Sequence, residues 1–595
     1  MRTSIATVCL SGGLVDKLHA CAAAGFDGVE IMDADLVAAV ESPEEIRALC
    51  ARLGLTIDLF QPLRDCEGVD DATFADNLRR ARAKFEVMRR LGASMVLVCS
   101  NVGTATIADP EVAARQLGQL ADAAAEYGIS IAYEALAWGR FVDDYRDAWN
   151  IVERADRANL GVCLDSFHVL SRGHDPAGIE GIDPAKLFFL QLADAPSLDM
   201  DVLSWSRHHR LFPGEGQFDL TTFLSHVLRA GYTGPLSLEV FNDTFRQTDV
   251  TRTAAHAHRS LRWLYNSTVR ANGQLDAQVA PPQPPHAVDF VEISGSDLSS
   301  VEQILDQLGF DFGGGHRTKA VRLWRAGEAS IVLSEEPRAG EPHIEGIGFT
   351  VTDAQAAKRH AVSIGATPRF RRTRAGDAEL PTVSAPDGTG IYWSSASTAE
   401  SWVAEFEGGQ TSEIDSLHGV IDHLNVALPW HEFDEAVLFN IGVLALDPGT
   451  SADLAGPYGL VRSQVMRTRD GSVRLAMNLA PPTAPLQPRH IAIRVDDVIA
   501  AAERARRSGL PSLPIPDNYY DDLHARFGLD DEFLHLLREL NLLYDRDANG
   551  SFLHFYTPTV GKVFFEIVER RGAYDGYGAA STPVRLVAQE DRRAG

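Results

Sequence analysis

The chain is 595 residues long, 45% apolar and 23% charged, with a formal net charge of −27. That length is too great for one hydrophobic core, so about two to four domains are expected. The acidic balance argues against a nucleic-acid or anionic-membrane partner, which would want a basic face. All six cysteines, Cys9, Cys21, Cys50, Cys66, Cys99 and Cys163, fall in the first 163 residues without a close Cys-x-x-Cys pair. They read as buried thiols of a reduced, cytoplasmic protein rather than a disulfide framework or a zinc site. No apolar run reaches the roughly 18 residues that span a membrane.

From residue 1 to about 270, short apolar runs alternate with amphipathic segments. Strands are expected at 5–10, 28–32, 56–60, 95–99, 129–134, 160–165, 187–191 and 236–239, with helices such as 76–91 and 111–127 between them. The first run leads straight into Gly12-Gly13 and a helix, which favours a barrel strand over a signal peptide. Eight strand–helix repeats in about 270 residues have the size and rhythm of a TIM barrel. A doubly wound sheet is the runner-up, but no Gly-x-Gly-x-x-Gly turn follows the first run.

Four successive runs close on an oxygen-bearing side chain: Glu134, Asp165, Gln191 and Glu239. Such strand ends meet at the C-terminal mouth of an α/β barrel. One strand-end acid alone more often caps a helix or pairs with an arginine. Three carboxylates brought together repel one another unless a cation lies between them. Four oxygen donors without thiolate or imidazole suit a hard divalent ion, Mg²⁺ or Mn²⁺, with Co²⁺ behind them.

Residues 271–286 are proline-rich (Pro281-Pro282-Gln283-Pro284-Pro285) and read as a semi-rigid linker. The segment 287–595 repeats itself in two halves, 287–400 and 418–575. The stretch 342–353 resembles 488–497, and 287–293 matches 420–426, as repeated strand–helix–strands units. In the second half His423, His490 and Glu566 fall at strand positions. Their matching positions in the first half, Phe290, Gly346 and Trp393, carry no ligand. Core histidines scattered at random would not sort this way. A two-histidine, one-carboxylate site with open positions suits Fe²⁺ or another divalent cation.

The first 270 residues resemble the xylose-isomerase-like, sugar-phosphate isomerase/epimerase family of TIM barrels. Phe212-Pro213-Gly214-Glu215-Gly216 adds to the likeness. That family uses Glu, Asp, His and Glu as ligands. Gln191 stands here for the histidine, which points away from its multi-zinc endonuclease branch. With Phe60-Gln61-Pro62-Leu63-Arg64-Asp65 after the third strand, and with the C-terminal fusion, the chain looks most like the two-domain bacterial 3-dehydroshikimate dehydratases.

The resemblance implies metal-dependent conversion of 3-dehydroshikimate to protocatechuate and water. A cation would polarise the ketone and stabilise the enolate. His168, just beyond Asp165, is the candidate general base. Arg64 and Arg210, in loops on the mouth side, are candidates to clamp the substrate carboxylate. Ser206, with His208 and His209 in the same loop, is a candidate to assist the leaving hydroxyl.

Residues 287–595 resemble 4-hydroxyphenylpyruvate dioxygenase, of the vicinal-oxygen-chelate fold. Asp422-His423, Arg489-His490, Phe565-Glu566 and Pro516-Asp517-Asn518-Tyr519-Tyr520 carry the likeness. The glycine spacing at 572–580 is kept, while the Asn-Phe usual after it is not. The competing reading is a sugar or hydroxypyruvate isomerase or epimerase, with the C-terminal half an assembly module of a homo-oligomer.

Overall fold

The computed structural model describes residues 1–273, 281–370, 377–395, 402–410, 416–480 and 487–594. It divides into two compact units, Met1–Val279 and Ala280–Gly595. In the first unit eight parallel strands close into a barrel: β1 (Thr3–Ala6), β2 (Gly28–Met32), β3 (Thr56–Leu63), β4 (Met95–Cys99), β5 (Ser130–Glu134), β6 (Leu160–Asp165), β7 (Leu187–Leu192) and β8 (Leu236–Leu238). Their apolar side chains pack against a ring of amphipathic helices in one continuous core.

The helices begin where an aspartate accepts their free N–H groups. Asp70, Asp109, Asp144, Asp219 and Asp249 cap Asp71–Leu91, Pro110–Ala125, Tyr145–Ala155, Leu220–Arg229 and Val250–Ala271. Each cap contributes on the order of 1 kcal/mol. The Asp70 cap starts its helix five residues before the expected 76. The first strand also differs from expectation, running Thr3–Ala6 before a tight turn at Thr7–Cys9. Its polar start is paired: Thr3 N–H and Oγ1 donate to Asp27 at 2.8 and 3.1 Å, and Thr3 lies opposite Leu236 where the barrel closes.

All six cysteines are free and buried. Ala271 of the expected linker is the last residue of a helix, and residues 274–280 of that linker lie outside the described residues. Among the described residues no helix is long and apolar enough to cross a membrane.

The second unit contains a nine-stranded and an eight-stranded sheet among its described residues. Eight strands follow one another in the same spatial order in both, and Phe406–Glu407 adds a ninth to the first, beyond residue 400. The central antiparallel pairs are Ala287–Gly295 with His343–Thr350, and Val420–Pro429 with Arg489–Arg494.

Register fixes the equivalences. Phe290 faces Gly348 as His423 faces Ala492, and Gly348 neighbours Tyr392 as Ala492 neighbours Glu566. The counterpart of Glu566 is therefore Tyr392, not the expected Trp393. One residue along a strand reverses the face. Tyr392 packs with Phe290 and Trp402, whereas Trp393 belongs to the core shared by both halves.

Candidate metal centres and active site

Glu134 ends β5, Asp165 ends β6 and Glu239 follows β8, all of them buried. Between them lies Arg210, 1% exposed. Its Nη1 donates to Asp165 Oδ2 at 2.7 Å and to Glu239 Oε2 at 3.1 Å. The guanidinium is 4.6 Å from the Phe167 ring and is held by Ser206, whose Oγ accepts from Nη2 at 2.9 Å and from Nε at 3.2 Å. Arg210 is thus not the open carboxylate fork expected from its loop position, and both contacts of Ser206 are spent on it. His208 turns outward to Asp243 at 3.0 Å, and His209 is exposed.

Three carboxylates around one guanidinium remain electrostatically unbalanced. Burial, then Glu239 and Asp165, push Glu134 well above the usual carboxylate range, and its Oε1 is buried without a hydrogen-bond partner. Burial raises Glu239 to about 7 against the pull of Arg210. Such a donor set fits a hard divalent cation.

His168 completes the cluster, with ligand-capable atoms of Glu134, Asp165 and His168 all within 4.8 Å of one another. Its Nε2 lies 3.6 Å from Asp165 Oδ2 and 3.8 Å from Glu134 Oε1, and Nδ1 accepts the Ala137 N–H at 3.1 Å. Burial pushes the ring down to about 3, so it is neutral at pH 7.

Gln191 lies beside Asp165 across the β6–β7 register. Its Nε2 donates to Glu30 Oε2 at 2.6 Å, and the Cys163 thiol lies 3.5 Å from its Oε1. The glycine-rich segment after β7 is anchored by Asp194, which accepts the N–H groups of Ala195, Gly214 and Phe218 at 2.8–3.0 Å. Glu215 in that segment pairs with the buried His256.

A cavity of about 930 Å³ is lined by Arg64, Arg79, Arg80, Lys84, Arg207 and Arg246, with Asp33, Asp35 and Asp243 among the facing acids. Arg64 therefore stands where a substrate carboxylate could be met. So does Arg207, which lies between Ser206 and His208 and is not among the site residues expected from the sequence. The Arg207 guanidinium is 4.9 Å from the Phe241 ring and 5.8 Å from that of Trp138. Burial and then the charge of Arg64 lower its pKa, which marks two guanidiniums near each other without enough anion between them. Nothing in the sequence distinguishes Arg207 from its neighbours Ser206 and His208; only the helix Val202–His208 directs it there.

In the second unit His423, His490 and Glu566 converge. Glu566 Oε2 is 3.1 Å from His423 Nε2 and 3.0 Å from His490 Nε2, and the two imidazoles are 3.2 Å apart at Nε2. Asp422 Oδ2 sits 2.8 Å from His423 Nδ1, which directs the Nε2 lone pair into the centre. Arg570 grips Asp422 with Nε and Nη2, both at 2.8 Å. Although burial opposes the charge of His423, Asp422 and Glu566 raise it to about 9, while burial lowers His490 to about 4.

The Nδ1 of His490 is buried without a partner. His554, absent from the sequence reading, places Nδ1 2.6 Å from Glu566 Oε1. The final helix, Thr582–Ala594, adds Arg585, 2% exposed and stacked 5.8 Å from Tyr556 and 5.7 Å from Phe564. Two imidazoles and a carboxylate in this arrangement fit a divalent transition metal. A third group, His316, Asp377 and Glu405, is already compensated: Lys319 lies 2.8 Å from Asp377.

Comparison with known proteins agrees with both halves. Residues 18–267 match the xylose isomerase-like TIM barrel family, 282–400 the N-terminal hydroxyphenylpyruvate dioxygenase family, and 421–540 the glyoxalase/bleomycin resistance protein/dioxygenase superfamily. A 3-dehydroshikimate dehydratase of Pseudomonas putida is 42% identical, with 100% of this chain and 99% of the relative aligned. Its counterpart in Pseudomonas aeruginosa is 43% identical with the same coverage. A solved xylose isomerase-like TIM barrel/4-hydroxyphenylpyruvate dioxygenase fusion protein superposes with a TM-score of 0.88 at 40% identity, over 100% of both chains.

Proposed function

The chain belongs to the two-domain 3-dehydroshikimate dehydratases, and on that footing we propose that its barrel converts 3-dehydroshikimate to protocatechuate and water, with Glu134, Asp165, Gln191 and Glu239 holding a divalent cation. The observation that carries the site assignment is the convergence of three buried carboxylates and a neutral histidine at the barrel mouth. The cation-lined cavity favours a ring carboxylate over a neutral sugar.

Arg64 and Arg207 hold the substrate carboxylate, with Arg207 taking the role expected of Arg210. Arg210, braced by Ser206, bridges Asp165 and Glu239 and holds them side by side. A bound Mg²⁺ or Mn²⁺ supplies Lewis acidity at the ketone. His168 takes the proton from the carbon next to the ketone, and its neutrality at pH 7 leaves it able to do so. Nδ1 faces the Ala137 N–H at 3.1 Å and Nε2 faces Arg210 Nη2 at 3.4 Å, so taking the proton at either nitrogen displaces one of these donors. The proton and the β-hydroxyl depart as one water, and the remaining ring enolises to the aromatic product.

In the second unit His423, His490 and Glu566 suit Fe²⁺, with Asp422 fixing the tautomer of His423.

The test is an ultraviolet time course of chelator-stripped protein with 3-dehydroshikimate, before and after addition of Mg²⁺ or Mn²⁺. The aromatic spectrum should grow only with metal, and a flat trace with every divalent ion would overturn the reading. Glu134→Ala should lower turnover by roughly 100-fold or more by removing a ligand; full activity in that variant would remove the barrel metal site from consideration.

A further inference from the structure

Glu30 is fully buried on β2, takes no part in the chemistry above, and has no cationic partner within ion-pair distance among the described residues. Its Oε2 accepts the Nε2 groups of Gln61 at 2.8 Å and Gln191 at 2.6 Å, and its Oε1 accepts the Ser237 hydroxyl. These donors come from β3, β7 and β8, and Ser237 is the register neighbour of Gln191. The four side chains form a polar floor, and Gln191 lies opposite Asp165 in the β6–β7 register.

We propose that Glu30 is the positioning residue that makes Gln191 a metal ligand, by fixing which end of its amide faces the cluster. The inference rests on the reading of Gln191 as a ligand. A carboxamide has one end that can coordinate a hard cation, the oxygen, and one that cannot, the NH₂ group. Free rotation would present either end. Glu30 Oε2 is an acceptor that gathers two amide NH₂ groups, so the nitrogen of Gln191 is drawn to the floor. The oxygen is then turned to the other side, near the Cys163 thiol and the strand bearing Asp165.

Histidine ligands are oriented in this way by a carboxylate on their second nitrogen. Glu30 does the same for a glutamine. Glu30→Gln keeps shape and burial but replaces the carboxyl group whose Oε2 accepts from both amides by a side chain with one accepting and one donating end. Gln191 can then satisfy the floor with either end, and half of those arrangements turn NH₂ toward the metal.

The experiment titrates metal-stripped full-length chain with Mn²⁺, reading free ion by electron paramagnetic resonance, with kcat and KM measured on the same preparations. Two classes of site are expected. Glu30→Gln should weaken one class about 10- to 100-fold and leave the other unchanged. Its thermal midpoint should stay near that of the parent, because no bulk is lost. Glu30→Asp, whose carboxylate falls a methylene short of Gln191, should weaken the same class; it carries the test if the first variant does not fold.

Parental Mn²⁺ affinity in a folded Glu30 variant would overturn the proposal, as would a lowered midpoint with unchanged affinity. Gln191→Ala separates the two levels. If it leaves Mn²⁺ affinity intact, the ligand reading itself fails. If it weakens binding while Glu30→Gln does not, only the positioning role fails.

Discussion

A guanidinium at the centre of three acids decides what each acid can be. Arg210 stabilises Asp165 and Glu239 directly, whereas Glu134 Oε1 has no hydrogen-bond donor. The sequence exposes the acids because each ends an apolar run. It does not expose the partner, because Arg64, Arg207 and Arg210 look alike on paper and differ only in the direction of their side chains. Glu30, Asp422 as an orienting group and His554 escape for a related reason: a second layer is defined by what it touches.

Glu67 illustrates the cost of an acid without a cation. Its Oε1 accepts the Asn101 N–H at 2.7 Å and the Tyr133 hydroxyl at 3.0 Å, yet burial raises it from 4.5 to about 7. The folded chain thus binds this proton more tightly than the unfolded chain, and stability is lost as pH rises from about 4.5 through about 7. Glu67→Gln should therefore be stabilising, by close to nothing at low pH and by ~3 kcal/mol above the raised pKa. Thermal unfolding of both proteins at several pH values reads the difference; a gap independent of pH would count against the assignment.

The two sheets of the second unit show what a repeated element keeps and what it releases. Strand order, pairing sense and register persist, while the facing side chains change from His423 and Glu566 to Phe290 and Tyr392. The repeat itself was legible from matched segments, and His423 and His490 were matched to the correct positions. The third match failed by one residue, because the likeness in the last strand is weak and alternation makes any slip an exchange of faces.

Trp393, 0% exposed, is therefore a core residue, and Trp393→Ala should cost about 3–5 kcal/mol in denaturant unfolding. Asp422→Asn removes an orienting acceptor without removing a ligand. It should weaken metal binding at the second centre about 10- to 100-fold in a metal-competition titration. The first barrel strand departs for another reason: both of its faces are covered, so the polar Thr3 and Ser4, expected to lie outside it, are both buried.

At the scale of the whole molecule, each unit has a core of its own. The barrel closes β1 onto β8 and leaves no unpaired strand edge, which is the condition for standing alone. Residues 1–279 expressed separately should fold and retain metal-dependent dehydratase turnover; a soluble, metal-loaded but inactive fragment would show that catalysis needs the second unit. Barrel rhythm, strand-end acids and internal repetition were all readable because they recur along the chain. The cation-lined mouth was not, because the helix bearing Arg79 and Lys84 is far in sequence from Arg207 and Arg246, and only the closed barrel gathers them.

Gly346 and Tyr392 together keep the first half free of ligands. A Cβ added there would meet Tyr392 Cε2 at 2.4 Å, so no side chain fits while the tyrosine stands. Glycine and tyrosine occupy the places that His490 and Glu566 hold in the other half. A histidine does not fit at 346 before Tyr392 is replaced, and replacing Tyr392 alone opens a hole beside Phe290 and Trp402. Either single change toward a ligand set on this side thus gives a worse-packed protein, and only a paired change avoids it.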